Sequence, residues 1–331
     1  MTETAAAAEI PLVVTVICGG VGAARLLTGI RRVVGDERAV TAIANVGDDL
    51  ELHGLQVSPD LDTIVYTTAG AVSQERGWGL EGETWQAMDT VSRYGGPTWF
   101  SLGDRDIGTH LYRTHRRGEG ATLSTVTAEI AAAWGLGFRL LPVTDDRLRT
   151  MVTVADGAGS GTEITFQEYF VGRGHDVAVR AVRFDGAETA RPAPGVLEAI
   201  ATAPRIVIAP SNPIVSIDPV LAVPGVRAAL AARRADVVAV SPIIGGKALK
   251  GPADRLLTEM GGEASAVGVA RWYQDLIGTL IVDTADAGSV ADIAALGITP
   301  VVMPTVMSDP DVTDRLAESV CDTPGSSGTM A

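Results

Sequence analysis

The chain reads as an α/β protein built on a Rossmann-like, mostly parallel sheet flanked by helices, with an antiparallel β-rich insertion. Three observations carry that reading. A valine-rich apolar run at 12–17 meets a glycine-rich turn and then a helical stretch, the opening of a βα unit. After Pro194 the βα rhythm returns, with strands expected at 205–209, 236–240, 279–283 and 298–303. Between these halves the pattern turns β-rich, with runs at 150–154, 162–171 and 177–184 separated by Gly/Asp turns. The expected organisation is a core from 12–137 and 194–305, an insertion at 138–193, and a terminal helix with a loose tail at 306–331. Residues 1–11 are expected to be a disordered tail.

Length and composition narrow the function classes. A chain of 331 residues suffices for one large α/β domain or two smaller ones. It is 46% hydrophobic and 20% charged, an ordinary globular balance. The formal net charge of −14 argues against nucleic acid as a partner and requires a local positive site for any anionic ligand. Cys18 and Cys321 are the only cysteines, which implies no disulfide framework and fits a reducing cytoplasm. The N-terminus lacks the basic-then-apolar layout of a secretory signal, and no apolar stretch is long enough to cross a bilayer. All 26 basic residues are arginine except Lys247 and Lys250, which stand together in GGKALKG.

Taken in order, the first turn holds Gly19, Gly20 and Gly22 before a helix to about residue 34. Such a turn aims backbone N–H groups at whatever lies above the helix start and suits phosphate, although tight βα turns need glycine anyway. It is not a good dinucleotide fingerprint, because Arg25 stands where a small residue belongs and the next strand, 40–44, ends in Asn45 rather than an acid. After it comes NVGDDLELHGLQVSPDLDTIVY, with Asp48 and Asp49 in one pair and Asp60 and Asp62 in a second at the start of a helix expected over 59–69. Carboxylates beyond a strand end are where open α/β sheets keep their ligands, and two acidic loops brought together suit a hard cation such as Mg²⁺. Turn and cap roles explain the same aspartates as well on spacing alone.

A loop at 77–79 and a helix at 83–94 carry Trp78 and Trp85, as core or as a wall for a flat ligand. An apolar strand is expected to end at Leu102, before Asp104, Arg105 and Asp106. Arg105 either pairs with those aspartates or points its fork at a phosphate or an imide-like edge. His110 and His115 are five apart, on different helix faces, and are not a metal pair. A further helix is expected at 125–134. In the second half, Ser211-Asn212 follows a strand, and Gly245-Gly246-Lys247 has the makings of a backbone nest beside an ammonium. It lacks the spacing of a P-loop.

GGVGAAR, NVGDD, SPDLDTIVY, GDRDIGTH, APSNPIVSIDP and SPIIGGKALKGP occur in this order, and together they resemble the CofD/FbiA family over roughly 14–305. These are the 2-phospho-L-lactate or phosphoenolpyruvate transferases of coenzyme F420 biosynthesis. The resemblance implies a Mg²⁺-dependent transfer. The ribityl hydroxyl of the deazaflavin Fo attacks the outer phosphorus of a guanosine diphosphate donor carrying lactate or enolpyruvate, and GMP leaves. Asp48 and Asp62 are then the expected metal ligands, with Asp49 or Asp60 in support or drawing the hydroxyl proton. Arg105 becomes the deazaflavin contact, with the Trp78 region as a stacking wall, and Gly19, Gly20 and Gly22 lie against the donor phosphates. Asn45 joins the substrate-binding set, while Ser211, Asn212, Gly245, Gly246, Lys247 and Lys250 hold the guanosine diphosphate. The Ala- and Arg-rich composition resembles high-GC actinobacterial members and favours the enolpyruvyl donor by association. A homodimer is expected, as in family members and most soluble oligomers. The rival is a neighbouring branch that binds nucleotide sugars and regulates cell-wall metabolism; SPDLDTIVY with GDRDIGTH fits the transferases instead.

Overall fold

A computed structural model describes residues 13–155 and 161–322 of the chain. The tails expected at 1–11 and beyond 322, and most of the turn expected after 155, lie outside the described residues. Strand β1 (Val14–Cys18) is buried along its whole length and runs into helix α1 (Gly20–Val34). Strand β2 (Val40–Ala44) follows, equally buried. Continuous burial of both strands is what a parallel sheet covered on both faces demands. A short hairpin of β3 (Leu50–Leu52) and β4 (Leu55–Val57) then leads to α2 (Pro59–Thr68), which begins with proline in its first turn.

Helices α3 (Gln86–Arg93), α4 (Asp104–Gly118) and α5 (Leu123–Ala133) come next, before strand β5 (Arg139–Pro142). Two expectations need correction here. No strand forms at 99–102; Leu102 instead joins Leu50, Leu52, Val57 and Met88 in a small separate cluster. The physical reason is that the place beside β2 is already filled: β5 pairs parallel with it, Ala42 opposite Leu140. For the same reason the insertion does not begin at 138, because 139–142 belongs to the main sheet.

The antiparallel part consists of β6 (Arg149–Val154), β7 (Thr162–Thr165) and β8 (Val179–Asp185), in the order β7-β6-β8. The strand expected to run from 162 to 171 stops at Thr165, and a wide helical turn occupies Glu168–Gly172. Phe166 and Phe170, four apart, stack with ring centroids 5.4 Å apart, and Phe166 meets Tyr169 at 6.1 Å. Residues three and four apart share one helical face, whereas in a strand Tyr169 would point away from Phe166 and Phe170.

The second half returns to βα units: α6 (Val196–Thr202), β9 (Arg205–Ile208), α7 (Asp218–Leu221), α8 (Val226–Ala232) and β10 (Val237–Val240). A hairpin of β11 (Ile243–Ile244) and β12 (Lys247–Ala248) precedes α9 (Ala253–Glu259) and α10 (Ala266–Trp272). The chain closes with β13 (Thr279–Val282), α11 (Val290–Ala295), β14 (Thr299–Val302) and α12 (Pro310–Cys321). The sheet has seven strands in the order β14-β13-β10-β9-β1-β2-β5, and every pairing in it is parallel. Its order reverses at β1, which has β2 on one side and β9 on the other. Loops leaving β1, β2 and β9 therefore meet at one carboxyl-end crevice, the usual ligand site of such sheets. Among the described residues, no single helix is long and apolar enough to cross a membrane.

Candidate active site

The turn after β1 is shaped by what sits on it. Gly19 is extended and Gly20 is left-handed at φ 73°. A Cβ on Gly19 would lie 2.7 Å from Asp60 Oδ2, so the carboxylate of Asp60 rests against the turn. Asp60 also takes a hydrogen bond from the Gly20 backbone, which places a negative charge at the α1 N-terminus. At Gly22 a Cβ would stand 2.3 Å from the Pro210 carbonyl oxygen, so two backbones touch there. Ser211 Oγ donates to the Gly19 carbonyl at 2.7 Å and ties the loop after β9 to the same turn.

Asn45 links the acidic segments. Fully buried, it donates from Nδ2 to Asp60 Oδ2 at 2.9 Å and to the Val215 carbonyl at 3.3 Å, and accepts from the Gly47 N–H at 2.7 Å. Asp48, Asp49 and Asp60 thus surround the end of β2. Burial, and then the Asp60 charge, push the Asp48 carboxyl well above its ordinary range. Burial raises Asp60 to about 6 in spite of Asn45 and Gly20. Burial also raises Asp49 to about 7, against the opposing charges of Arg149 and Arg113 and the hydroxyl of Ser58, which donates to Oδ2 at 2.8 Å. Asp48 Oδ1 and Asp49 Oδ1 are buried with no hydrogen-bond partner among the described residues. Buried carboxylate oxygens left without a donor need a proton or a cation, and carboxylate oxygens are what Mg²⁺ prefers.

Asp62 is different. Both its oxygens are held by the buried guanidinium of Arg113, Oδ2 by NH1 at 3.1 Å and Oδ1 by NH2. Arg113 also donates to the Gln56 carbonyl at 3.2 Å and stands 3.2 Å from His110 Nδ1. The other ring nitrogen, Nε2, lies 3.4 Å from Asp106 Oδ2. Asp106 accepts from the Tyr66 hydroxyl at 2.6 Å. Ligand atoms of Asp62, Asp106 and His110 come within 4.8 Å of one another, but Arg113 already supplies the cation there. The geometry thus separates the two aspartates expected to share a metal: Asp48 keeps a free oxygen and Asp62 does not.

Arg113, His110 and Tyr66 are absent from the site expected on sequence. The available signal was the spacing of Asp106, His110 and Arg113, four and three apart on α4, facing Asp62 and Tyr66, four apart on α2. His115 is exposed and points elsewhere, as its spacing from His110 implied.

On the far side of the glycine turn lies a cleft of about 310 Å³ whose lining includes Gly22, Arg25, Pro210, Asn212, Ser241 and Lys250. Asn212 Oδ1 caps the following turn, accepting from the Ile214 N–H at 3.0 Å. Gly245 and Gly246 do not form the expected nest. Both have positive φ and make the two-residue turn of the β11–β12 hairpin, and the Gly245 N–H is taken by Asp286 at 3.1 Å. Lys247 is exposed on that hairpin, whereas Lys250 lines the cleft and brings Nζ within 2.9 Å of where a Gly77 Cβ would be.

Lys250 therefore joins the cleft to the loop carrying Trp78. Trp78 is 45% exposed and lies 6.0 Å from Trp85, with Arg76 over both rings at 5.7 and 5.6 Å. Arg105 is exposed on the first turn of α4, donating through NH1 to the Glu81 carbonyl. It does not pair with its neighbours: Asp104 caps α3 through the N–H groups of Gln86 and Ala87, and Asp106 serves Tyr66.

A sequence model of the family described as 2-phospho-L-lactate transferase CofD matches residues 14–303. A phosphoenolpyruvate transferase of Kitasatospora aureofaciens is 47% identical over 308 residues, covering 92% of this chain and 96% of the relative. One of Streptomyces griseus is 46% identical over 311 residues, covering 93% and 97%. One of Mycobacterium avium is 44% identical over 328 residues, covering 92% and 97%. Among solved structures, protein BH3568 of Bacillus halodurans superposes with a TM-score of 0.61 at 17% identity, covering 95% of this chain and all of that one. A second structure of that protein, described as a member of the upf0052 family, gives 0.63 at 16% identity, covering 95% and 99%. At such identity the likeness concerns the fold.

Proposed function

Since the chain belongs to the 2-phospho-L-lactate transferase CofD family, we propose that it moves a phosphoenolpyruvyl group from a guanosine diphosphate donor to the ribityl hydroxyl of Fo, giving dehydro coenzyme F420-0 and GMP. The enolpyruvyl choice is supported by the names of relatives 44–47% identical. The observation that carries the chemistry is the pair of partnerless buried carboxylate oxygens, on Asp48 and Asp49, in a loop tied through Asn45 and Asp60 to the glycine turn, whose Gly22 lines a cleft with Arg25 and Lys250. Those two cations give an acidic protein the local positive charge a diphosphate needs.

In this reading Asp48 and Asp60 hold Mg²⁺, and Asn45 fixes Asp60 for the task. The ion would offset charge on the transferred and leaving oxygens. Asp49 is turned by Ser58 so that Oδ2 is occupied and Oδ1 is free. Oδ1 takes the proton of the ribityl hydroxyl as its oxygen bonds to phosphorus and the bond to the GMP oxygen breaks. Asp62 is a positioning group in this scheme: Arg113 clamps it, and α4 is thereby locked on α2. Arg105 and the Trp78–Trp85 wall take the deazaflavin, with Lys250 between the two substrates.

The test is a product assay with Mg²⁺, Fo and each donor separately, read by mass spectrometry for GMP and the phosphodiester. Product with the enolpyruvyl donor is expected. Product with the lactyl donor alone would reverse the donor assignment, and none with either would remove the reading. The Arg105→Ala variant is expected to bind Fo about tenfold more weakly; an unchanged dissociation constant would take Arg105 out of the site.

A further inference from the structure

Away from the cleft, a second recess of about 340 Å³ is lined by Phe184, Asp218, Leu221, Ala222, Arg227 and Trp272. It draws on β8, α7, α8 and α10, and nothing in the transfer chemistry uses it. Asp218 is the first residue of α7, yet its side chain does not cap that helix. Both its oxygens accept from one donor, the Trp272 indole N–H, at 3.2 and 3.1 Å. Arg227 on the rim offsets its charge only in part, because its NH2 is bound to Asp275 at 2.7 and 2.9 Å. The other titratable neighbour, Tyr273, is buried, and its hydroxyl has no hydrogen-bond partner among the described residues. Burial pushes the Asp218 carboxyl up to about 7, which Trp272 and Arg227 only partly oppose.

A carboxylate with one neutral donor, set in a recess with the rings of Phe184 and Trp272, has a definite complement. Its charge calls for a cation, the rings add a face that attracts cations, and Leu221 and Ala222 accept an apolar body. The volume falls at the small end of ligand pockets. The geometry points to a binding site for a small organic cation, an ammonium or guanidinium group on an aromatic or apolar body, seated on Asp218 between Phe184 and Trp272.

The recess backs onto the acidic loop. Pro219 stands 3.0 Å from where a Gly47 Cβ would be, and Thr150, opposite Phe184 in the β6–β8 register, donates its N–H to the Gly47 carbonyl at 2.7 Å.

Isothermal titration calorimetry on the full chain tests the site with phenethylamine and benzylguanidine as probes and phenethyl alcohol as the neutral control. The wild-type protein is expected to bind a cationic probe one to one, with affinity falling about tenfold or more for the alcohol and for Asp218→Asn. Asn keeps an acceptor for Trp272. Phe184→Leu, which leaves the carboxylate intact, is expected to weaken the same probe. Equal affinity in Asp218→Asn, or no binding of either cation at millimolar concentration, would overturn the assignment. So would a wild-type dimer that Asp218→Asn turns into monomers in sedimentation, since a second copy would then fill the recess.

Discussion

Asp48 Oδ1 is buried without a donor, so an amide at that position removes charge while disturbing no contact of that oxygen. Asp48→Asn is therefore expected to keep the fold and to lower turnover by about a hundredfold or more, the scale of a lost metal ligand. Full activity in that variant, with unchanged circular dichroism, would sink the metal assignment. Arg113 answers to a different argument. It compensates Asp62 in a buried pair, so Arg113→Met leaves a carboxylate alone in the interior. A loss of about 3–5 kcal/mol in urea unfolding is expected, with Arg113→Lys between the two because the charge stays and the fork is lost. A loss under about 1 kcal/mol would show that the pair is solvated. Asp48 is expected as a ligand from the sequence, but so is Asp62, and the chain alone does not tell the two apart. Asp62 and Arg113 are 51 positions apart, and no local pattern marks one aspartate as paired and another as free.

The elements legible in the sequence are those whose whole length is buried. The strands β1, β2, β9 and β10 are mostly apolar and buried throughout, with only Thr15, Thr41 and Arg205 polar, so composition and burial agree. Where a segment's state depends on a distant partner, local pattern misleads. The residues before Gly103 look like a strand but find no sheet edge, and Gly245-Gly246 resembles an anion nest because a hairpin turn needs the same positive φ. The acidic stretch and its helix are visible in the sequence, whereas the α4 face that supports Asp62 shows its role only once α2 lies against it. At this scale the β1–α1 turn makes a firm prediction. Gly22→Ala drives a Cβ to 2.3 Å from the Pro210 carbonyl, backbone against backbone, and one of the two loops must move. A cost of about 1–3 kcal/mol is expected, together with lost activity because Asn212 moves with Pro210. An unaltered melting temperature would mean that the loop yields freely.

Over the whole molecule the raised carboxyls, three around the end of β2 together with Asp218, make stability depend on pH. Asp49 and Asp60 have folded values of about 7 and about 6 against an ordinary 3.8, and Asp48 moves in the same direction. A raised acid binds its proton more tightly in the folded state. These groups therefore cost nothing while protonated in both states, and they erode stability as pH climbs from about 4 to about 7. Each loses about 1.4 kcal/mol for every pH unit between its ordinary and its folded value. The melting temperature of chelator-treated protein is expected to fall between about pH 5 and pH 7.5, with Mg²⁺ restoring more of it at the higher pH. A profile that is flat, or equal with and without Mg²⁺, would contradict both the charge balance and the ion.

The sheet order has a consequence for biosynthesis. β1 leaves the ribosome early, but its second neighbour, β9, begins at residue 205. Until then the run Val14–Cys18 has β2 on one side and an open hydrogen-bonding edge on the other. The same late segment supplies the Val215 carbonyl that holds Asn45 and the Ser211 hydroxyl that holds Gly19. A nascent chain cut short before residue 205 would thus display a bare, valine-rich edge together with an unassembled acidic loop. Such a fragment is a ready substrate for chaperones or for self-association, and the candidate crevice is complete only once Ser241, Lys250 and Thr305 have also been made.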